Sequence, residues 1–157
     1  MKVRTVNLRL LLTSLALPIL VGIAGALVTA SGMDAFELLK KPPLVPPAWV
    51  FSVVWTVLYI LMGVAVYNVR IANSYSKSEA MQYFYIQLAL NFLWVVTFFR
   101  FGWLWVSVIV LLALIVAIAL TIKHFGDASS TAARLMLPYL LWCLFALYLN
   151  IGYAVLN

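Results

Sequence analysis

Tyr83, Gln87, Asn91, Trp94 and Phe98 recur every three or four positions in a stretch that is otherwise apolar. On a helix such spacing gathers them on one face. Indole and phenol faces stack on flat π systems, and a few amides fix the orientation of what is stacked, so the stripe suits binding of a flat, apolar, conjugated ligand. Two other stretches carry matching stripes, Trp49, Ser52, Trp55, Thr56, Tyr59 and Gly63 in one, and Tyr139, Trp142, Cys143, Ala146, Asn150 and Tyr153 in the other. Read jointly, Trp55, Gln87, Asn91 and Trp142 point to a pocket, although aromatic stripes between membrane helices also serve plain packing and amides also tie helices together.

The chemistry that is missing narrows the reading further. Asp34, Glu37, Glu79 and Asp127 all fall in loops or at helix ends, and the single histidine, His124, ends an apolar run. Proton-coupled pumps need ionisable groups inside the membrane, and hydrolysis needs a positioned acid and base. Neither is supplied. Cys143 is the only cysteine, so neither an intrachain disulfide nor a thiolate metal site can form, and no metal ligand set is expected.

The elements that must hold these stripes follow from composition. Of 157 residues, 67% are hydrophobic and 9% charged, against about 25% charged in soluble domains. The fold class is an all-α integral membrane protein, a five-transmembrane-helix bundle in one domain over 1–157. Apolar runs of spanning length predict helices at about 8–30, 48–69, 80–100, 103–123 and 132–156, joined by short links that make consecutive helices antiparallel. The first run follows basic residues as a signal peptide would, but its apolar core is too long for one. Gly22, Gly25, Ala26, Thr29 and Ala30 give it a small-residue face for close packing. Helix 4 has only Ser107 and Thr121 as polar groups between its ends and reads as a packing helix.

Residues 31–47 hold four of the six prolines. Proline fixes φ and restricts its predecessor, so this loop is expected to be a stiff cover over one end of the bundle, with Asp34 to Leu39 as a short helical turn. Pro47 suits the first turn of helix 2. Lys40 and Lys41 stand at the mouth, placed to pair with carboxylates on a ligand's edge. The net charge of +6 belongs to helix ends rather than to nucleic acid recognition. Lys2, Arg4, Arg9, Arg70, Lys77, Lys123 and Arg134 fall on one side against Lys40, Lys41 and Arg100 on the other. The positive-inside rule then expects a cytoplasmic N-terminus and an external loop. Trp49, Trp103 and Trp105 also suit an interfacial belt.

The segments Lys41-Pro42, Pro46 to Phe51, Val54 to Tyr59, Met62-Gly63, Gln87 to Asn91 with Trp94 and Phe98-Phe99, Leu137 to Trp142, Phe145-Ala146, Leu149-Asn150 and the terminal Leu156-Asn157 resemble the TspO/MBR family. These are the tryptophan-rich sensory proteins or translocator proteins, also called peripheral-type benzodiazepine receptors. The resemblance runs from Lys41 nearly to the C-terminus. It implies a five-helix bundle, often a homodimer, that needs no cofactor and binds porphyrins such as protoporphyrin IX and haem, sterols, and benzodiazepine-type drugs beneath the first loop. It implies a ligand site of Trp49, Phe51, Ser52, Trp55, Tyr59, Gln87, Asn91, Trp94, Phe98, Tyr139, Trp142, Ala146 and Asn150, with Lys40, Lys41, Pro42, Pro46 and Pro47 at its mouth. Light-dependent porphyrin breakdown in bacterial relatives would fall to Trp55 and Trp142, which makes an enzyme a second reading and a sterol or lipid carrier a third. The expected location is a bacterial cell membrane. Two departures stand out: the family's aromatic pair is Ala35 and Phe36 here, and its loop tryptophan is Leu44. The animal sterol pattern is also missing, since no Lys or Arg follows Tyr153; a match around Tyr67, from Val64 to Arg70, is a weak pattern.

Overall fold

The computed structural model describes residues 6–30, 32 and 36–157. Its helices are α1 (Leu8–Ala30), α2 (Ala48–Ile71), α3 (Lys77–Val95, continued by a π-helical turn Val96–Arg100), α4 (Leu104–Ala128) and α5 (Ser130–Leu156). All five are long and apolar enough to cross a membrane. A chain of this composition has no alternative in hydrocarbon, because a helix satisfies its own backbone while an open strand leaves donors and acceptors bare.

Helix contacts run α1 to α2, α2 to α5, α5 to α4, α4 to α3 and α3 back to α1. The helices therefore form a ring in which α2 and α3, though consecutive in sequence, are not neighbours and meet only through side chains across the interior. With alternating directions, four of the five neighbouring pairs are antiparallel. The fifth, α1 with α3, must be parallel.

Helix ends extend beyond the sequence expectation. α3 begins at Lys77 rather than 80, α4 runs to Ala128 rather than 123, and α5 begins at Ser130 rather than 132. Gly126 and Asp127 lie beyond the expected end, but the helix continues past Phe125, which is fully buried and stacks on Phe84 at 5.8 Å. Ser129 alone links α4 to α5, its Oγ accepting from the Ala132 amide at 3.3 Å, an ordinary serine N-cap. The turn before α4 uses Gly102 at φ 63°.

The small face of α1 divides between two tasks. Gly22 lies under the Tyr59 ring and Gly25 beside Val95, whereas Ala26 and Ala30 face outward. α1 and α2 approach closely at Gly63, where an added Cβ would stand 2.7 Å from the Leu15 Cα. Gly63→Ala therefore forces two backbones apart and is expected to cost about 1–3 kcal/mol, the range for overpacking. Gly126→Ala, whose Cβ would meet only the Ala133 methyl at 3.8 Å, should cost nothing and gain a few tenths from helix propensity, about 0.5–1 kcal/mol at most. Unfolding of both variants by denaturing detergent checks the pair.

Candidate functional site

Inside the ring, the middle of α2, α3 and α5 is tied by amides. Tyr59 donates its hydroxyl to Asn91 Oδ1 at 2.7 Å, and Asn91 Nδ2 donates to the Tyr139 hydroxyl at 3.1 Å. One turn nearer the loop, Trp94 Nε1 donates to Asn150 Oδ1 at 3.0 Å. Asn150 Nδ2 in turn donates to Ser107 Oγ at 3.0 Å and to the Leu104 carbonyl at 3.1 Å. Hydrocarbon offers no substitute partners, which is why these amides bond across helices. Ser107 corrects the reading of helix 4 as packing alone: α4 supplies the group that holds Asn150.

Aromatic rings fill the space between these bonds. Trp55 lies 5.6 Å from Tyr59, 5.9 Å from Trp94 and 6.1 Å from Tyr139. Trp94 stacks on Phe98 at an interplanar angle of 16°. The π turn adds a residue to the helical circuit and carries both Phe98 and Phe99 toward the loop. There Phe36 meets Phe98, Phe99 and Tyr153 at 5.2, 5.0 and 4.9 Å.

The loop covers this end as the prolines suggested. Phe36 and Glu37 form the helical turn expected there; Asp34 and Ala35 lie outside the described residues. Further contacts with α5 and its cap residue Asn157 hold the loop down. Lys40 N donates to Asn157 Oδ1 at 2.9 Å while Asn157 Nδ2 returns a bond to the Lys40 carbonyl at 3.1 Å. The Tyr148 hydroxyl donates to the Pro43 carbonyl at 3.1 Å. Pro42 packs on Gly152, where a Cβ would come within 2.5 Å of the proline ring.

The expected site residues thus separate into groups. Tyr59, Asn91, Trp94, Phe98, Tyr139 and Asn150 are buried and joined by these bonds and rings, with Trp55 half-buried among them; Gln87 and Ala146 are buried as well. Trp49 is 68% exposed and Ser52 also faces outward; Thr56, exposed beside them, bonds back to the Ser52 carbonyl at 2.7 Å and so needs no partner from another helix. Trp142 joins a different cluster, with Phe51 at 5.6 Å and Phe145 at 5.4 Å. Lys40, Lys41 and Pro47 are exposed, Pro46 is half-buried, and Pro42 is buried. Tyr83, first in the α3 stripe, leaves the interior: it stacks on His124 at 4.4 Å, whose Nδ1 lies 3.8 Å from both Glu79 and Asp127.

Two expected site residues are unusual in another respect. Among the described residues, the buried side-chain polar atoms without a hydrogen-bond partner are both amide atoms of Gln87 and Nε1 of Trp142. Gln87 is 0% exposed. Near Trp142, a groove of about 460 Å³ runs between α2 and α5, lined by Val53, Val54, Val57, Leu58, Leu61, Pro138, Leu141 and the indole itself.

The TspO/MBR family profile matches residues 14–156. The chain belongs to this family. A tryptophan-rich protein TspO of Archaeoglobus fulgidus is 35% identical over 152 residues, 96% of this chain and 99% of that one. A tryptophan-rich sensory protein of Cereibacter sphaeroides is 34% identical over 122 residues, 78% of this chain and 76% of that one. The human translocator protein is 36% identical over 129 residues, 78% of this chain and 75% of that one. Membership and five spanning helices together make this a multi-pass membrane protein.

Within a TspO/MBR chain the two loop departures now have a structural meaning. Phe36 provides ring contacts with Phe98, Phe99 and Tyr153. Leu44, standing where the resemblance expects a tryptophan, is exposed in a turn at φ 66°, a conformation that disfavours residues with a Cβ. The loop residues that pin the cover, Pro43 and Lys40, act through their backbones, which the sequence alone could not announce.

Proposed function

We infer that the protein binds a flat tetrapyrrole, protoporphyrin IX or haem, between α2, α3 and α5 beneath the loop, in porphyrin sensing, trafficking or photoprotection. The observation that carries this reading is Gln87: an amide sealed in the bundle with neither donor nor acceptor used. Such a group is costly to the fold, by about 1–3 kcal/mol on protein data, and a ligand that carries both a donor and an acceptor can engage both of its atoms. Further toward the loop on the same inner face, Trp55, Trp94 and Phe98 supply stacking faces. Lys40 and Lys41 stand exposed on the cover, within the reach of propionate groups on a tetrapyrrole's edge. Metal-free porphyrin suits the chain better than haem, because His124 is engaged at the opposite end of the bundle. The relatives' names, sensory protein and translocator protein, agree with a small-molecule role in a membrane.

Equilibrium titration tests it. Dark tryptophan quenching of the purified full-length protein by protoporphyrin IX should saturate, and Trp55→Leu should weaken the affinity about tenfold, the equivalent of one lost stacking contact. Quenching that grows linearly with porphyrin, with equal slopes in both proteins, is partition into detergent and removes the reading.

Porphyrin photochemistry is a second reading, favoured by the position of Trp55 among three oxidisable rings, Tyr59, Trp94 and Tyr139. The indole can exchange an electron with a photoexcited porphyrin stacked on it. Trp142, in its own cluster, is further from this relay. Under illumination in air, Trp55→Phe should slow the loss of porphyrin absorbance more than Trp142→Phe does. Equal rates in wild type and both variants would exclude a role for the protein in the breakdown.

A further inference from the structure

At the end of the bundle opposite the loop, Arg70 turns back toward the membrane instead of out to water. Gly63 packs against Leu15, so in the antiparallel α1–α2 pair the Arg70 backbone stands level with the start of α1. Its Nη1 donates to Thr13 Oγ1 at 3.0 Å and to Ser14 Oγ at 3.1 Å. Those hydroxyls lie roughly 8 Å deeper, at a rise of about 1.5 Å per residue. A basic side chain near the end of a spanning helix ordinarily snorkels the other way, toward the interface.

Two hydroxyls fix that direction. Thr13 and Ser14 each donate to the Leu10 carbonyl, at 3.0 and 2.7 Å, so toward the guanidinium they can only accept. Both N–H groups of Nη1 are thereby used, while the edge formed by Nε and Nη2 keeps its donors. That edge is the fork that matches two oxygens of a carboxylate or a phosphate. Among the described residues no carboxylate fills it: Glu79 and Asp127 are drawn to His124, each 3.8 Å from its Nδ1.

Two further cations stand nearby. Lys77 Nζ donates to the Arg70 carbonyl at 3.1 Å, which brings an ammonium across the link between α2 and α3. Arg9 lies four residues before Thr13 and so on the same side of α1. Neither pairs with a carboxylate of the described residues. Complementing the C-terminal dipole of α2 accounts for a cation at this helix end, but not for a guanidinium aimed inward with its fork open. Leu8 and Leu12, exposed on α1, add apolar surface at the same depth, which acyl chains cover in a bilayer.

We propose that this end of α1 and α2 is a binding site for the phosphate of an anionic phospholipid, with Arg70 Nε and Nη2 as the fork, Arg9 and Lys77 as flanking charges, and Leu8 and Leu12 against the acyl chain. A dissolved phosphate ion offers the same oxygens, but it must leave water to reach the depth of Thr13. A lipid carries its phosphate at the hydrocarbon edge already. Phosphatidylglycerol matches three cations that have no carboxylate, whereas phosphatidylcholine brings an ammonium of its own against them. The site is separate from the interior assigned above to a tetrapyrrole and stands or falls independently of it.

Native mass spectrometry of the full chain, released from micelles doped with phosphatidylglycerol or with phosphatidylcholine of the same acyl chains, counts the lipids held per chain. One phosphatidylglycerol should be retained saturably, at a lower mole fraction than phosphatidylcholine. Arg70→Gln should raise the half-saturating mole fraction about tenfold, the loss of one charge-assisted contact. Arg70→Lys keeps the charge but not the fork and should also weaken retention. Arg134→Gln, which removes one charge from α5, should leave it unchanged. If Arg70→Gln folds poorly, Lys77→Gln, whose contact is with a backbone carbonyl, should weaken retention in the same direction. An excess of inorganic phosphate should not displace the lipid. Equal retention of both lipids, or equal effects of Arg70→Gln and Arg134→Gln, would show diffuse attraction to a basic protein and overturn the proposal. Displacement by phosphate would overturn it in favour of a site for a free anion.

Discussion

Asn150→Leu is expected to destabilise the bundle by about 2–4 kcal/mol, the sum of interhelical hydrogen bonds lost in a membrane and one donor left bare. Asn150 is fully buried and uses both ends of its amide, accepting from Trp94 and donating to Ser107 and the Leu104 carbonyl. Leucine preserves the volume, so packing loss is small. What changes is that Trp94 Nε1 has no acceptor. Ser107 fares better, because its own hydroxyl still donates to the Leu104 carbonyl at 2.7 Å. The penalty should therefore track Trp94. Combining Asn150→Leu with Trp94→Phe, which removes the stranded donor, should recover more than about 1 kcal/mol relative to the sum of the single changes, the coupling expected of direct partners. Unfolding by denaturing detergent measures each corner of the cycle. Additive effects would mean that the bond contributes nothing and that Asn150 acts by packing.

Residue type and period were enough to find the five helices and the faces on which their polar groups lie. The α3 stripe shows why: at a spacing of three or four, Gln87, Asn91, Trp94 and Phe98 can only share a side, and the cost of bare amides in lipid turns that side inward. Partner identity is a different quantity. Asn91 meets Tyr59 and Tyr139, and Asn150 meets Ser107, only because the ring runs α1, α2, α5, α4, α3, an order that no local period encodes. Tyr83 obeys the same spacing yet lies one turn too near the opposite end, where His124 takes it. Trp142 belongs to the α5 stripe but falls on its edge, toward Phe51 and the outer seam. The π turn at Val96–Arg100 was invisible for a simpler reason: Val, Thr, Phe, Phe and Arg carry no signal distinguishing it from ordinary helix.

The amide of Gln87 is the counterpart of Asn150 and should respond with the opposite sign. Both are fully buried amides on the inner faces of the bundle, but Gln87 bonds to nothing in the protein. Gln87→Leu removes a desolvated polar group and substitutes apolar volume, so stability in detergent should rise by about 1–3 kcal/mol. If the amide is there for a tetrapyrrole, the same change should lower protoporphyrin IX affinity about tenfold, the equivalent of one hydrogen bond near 1.4 kcal/mol. Stability up with affinity down is the pattern of a group kept for binding at the expense of the fold. A structural role predicts a loss of stability and no gain in affinity. Loss of stability in Gln87→Leu would mean that a partner already satisfies the amide, and unchanged affinity in a stabilised variant would take Gln87 out of the site. Because Asn150→Leu and Gln87→Leu delete the same functional group at comparable burial, the difference between them isolates the hydrogen-bond partner as the cause.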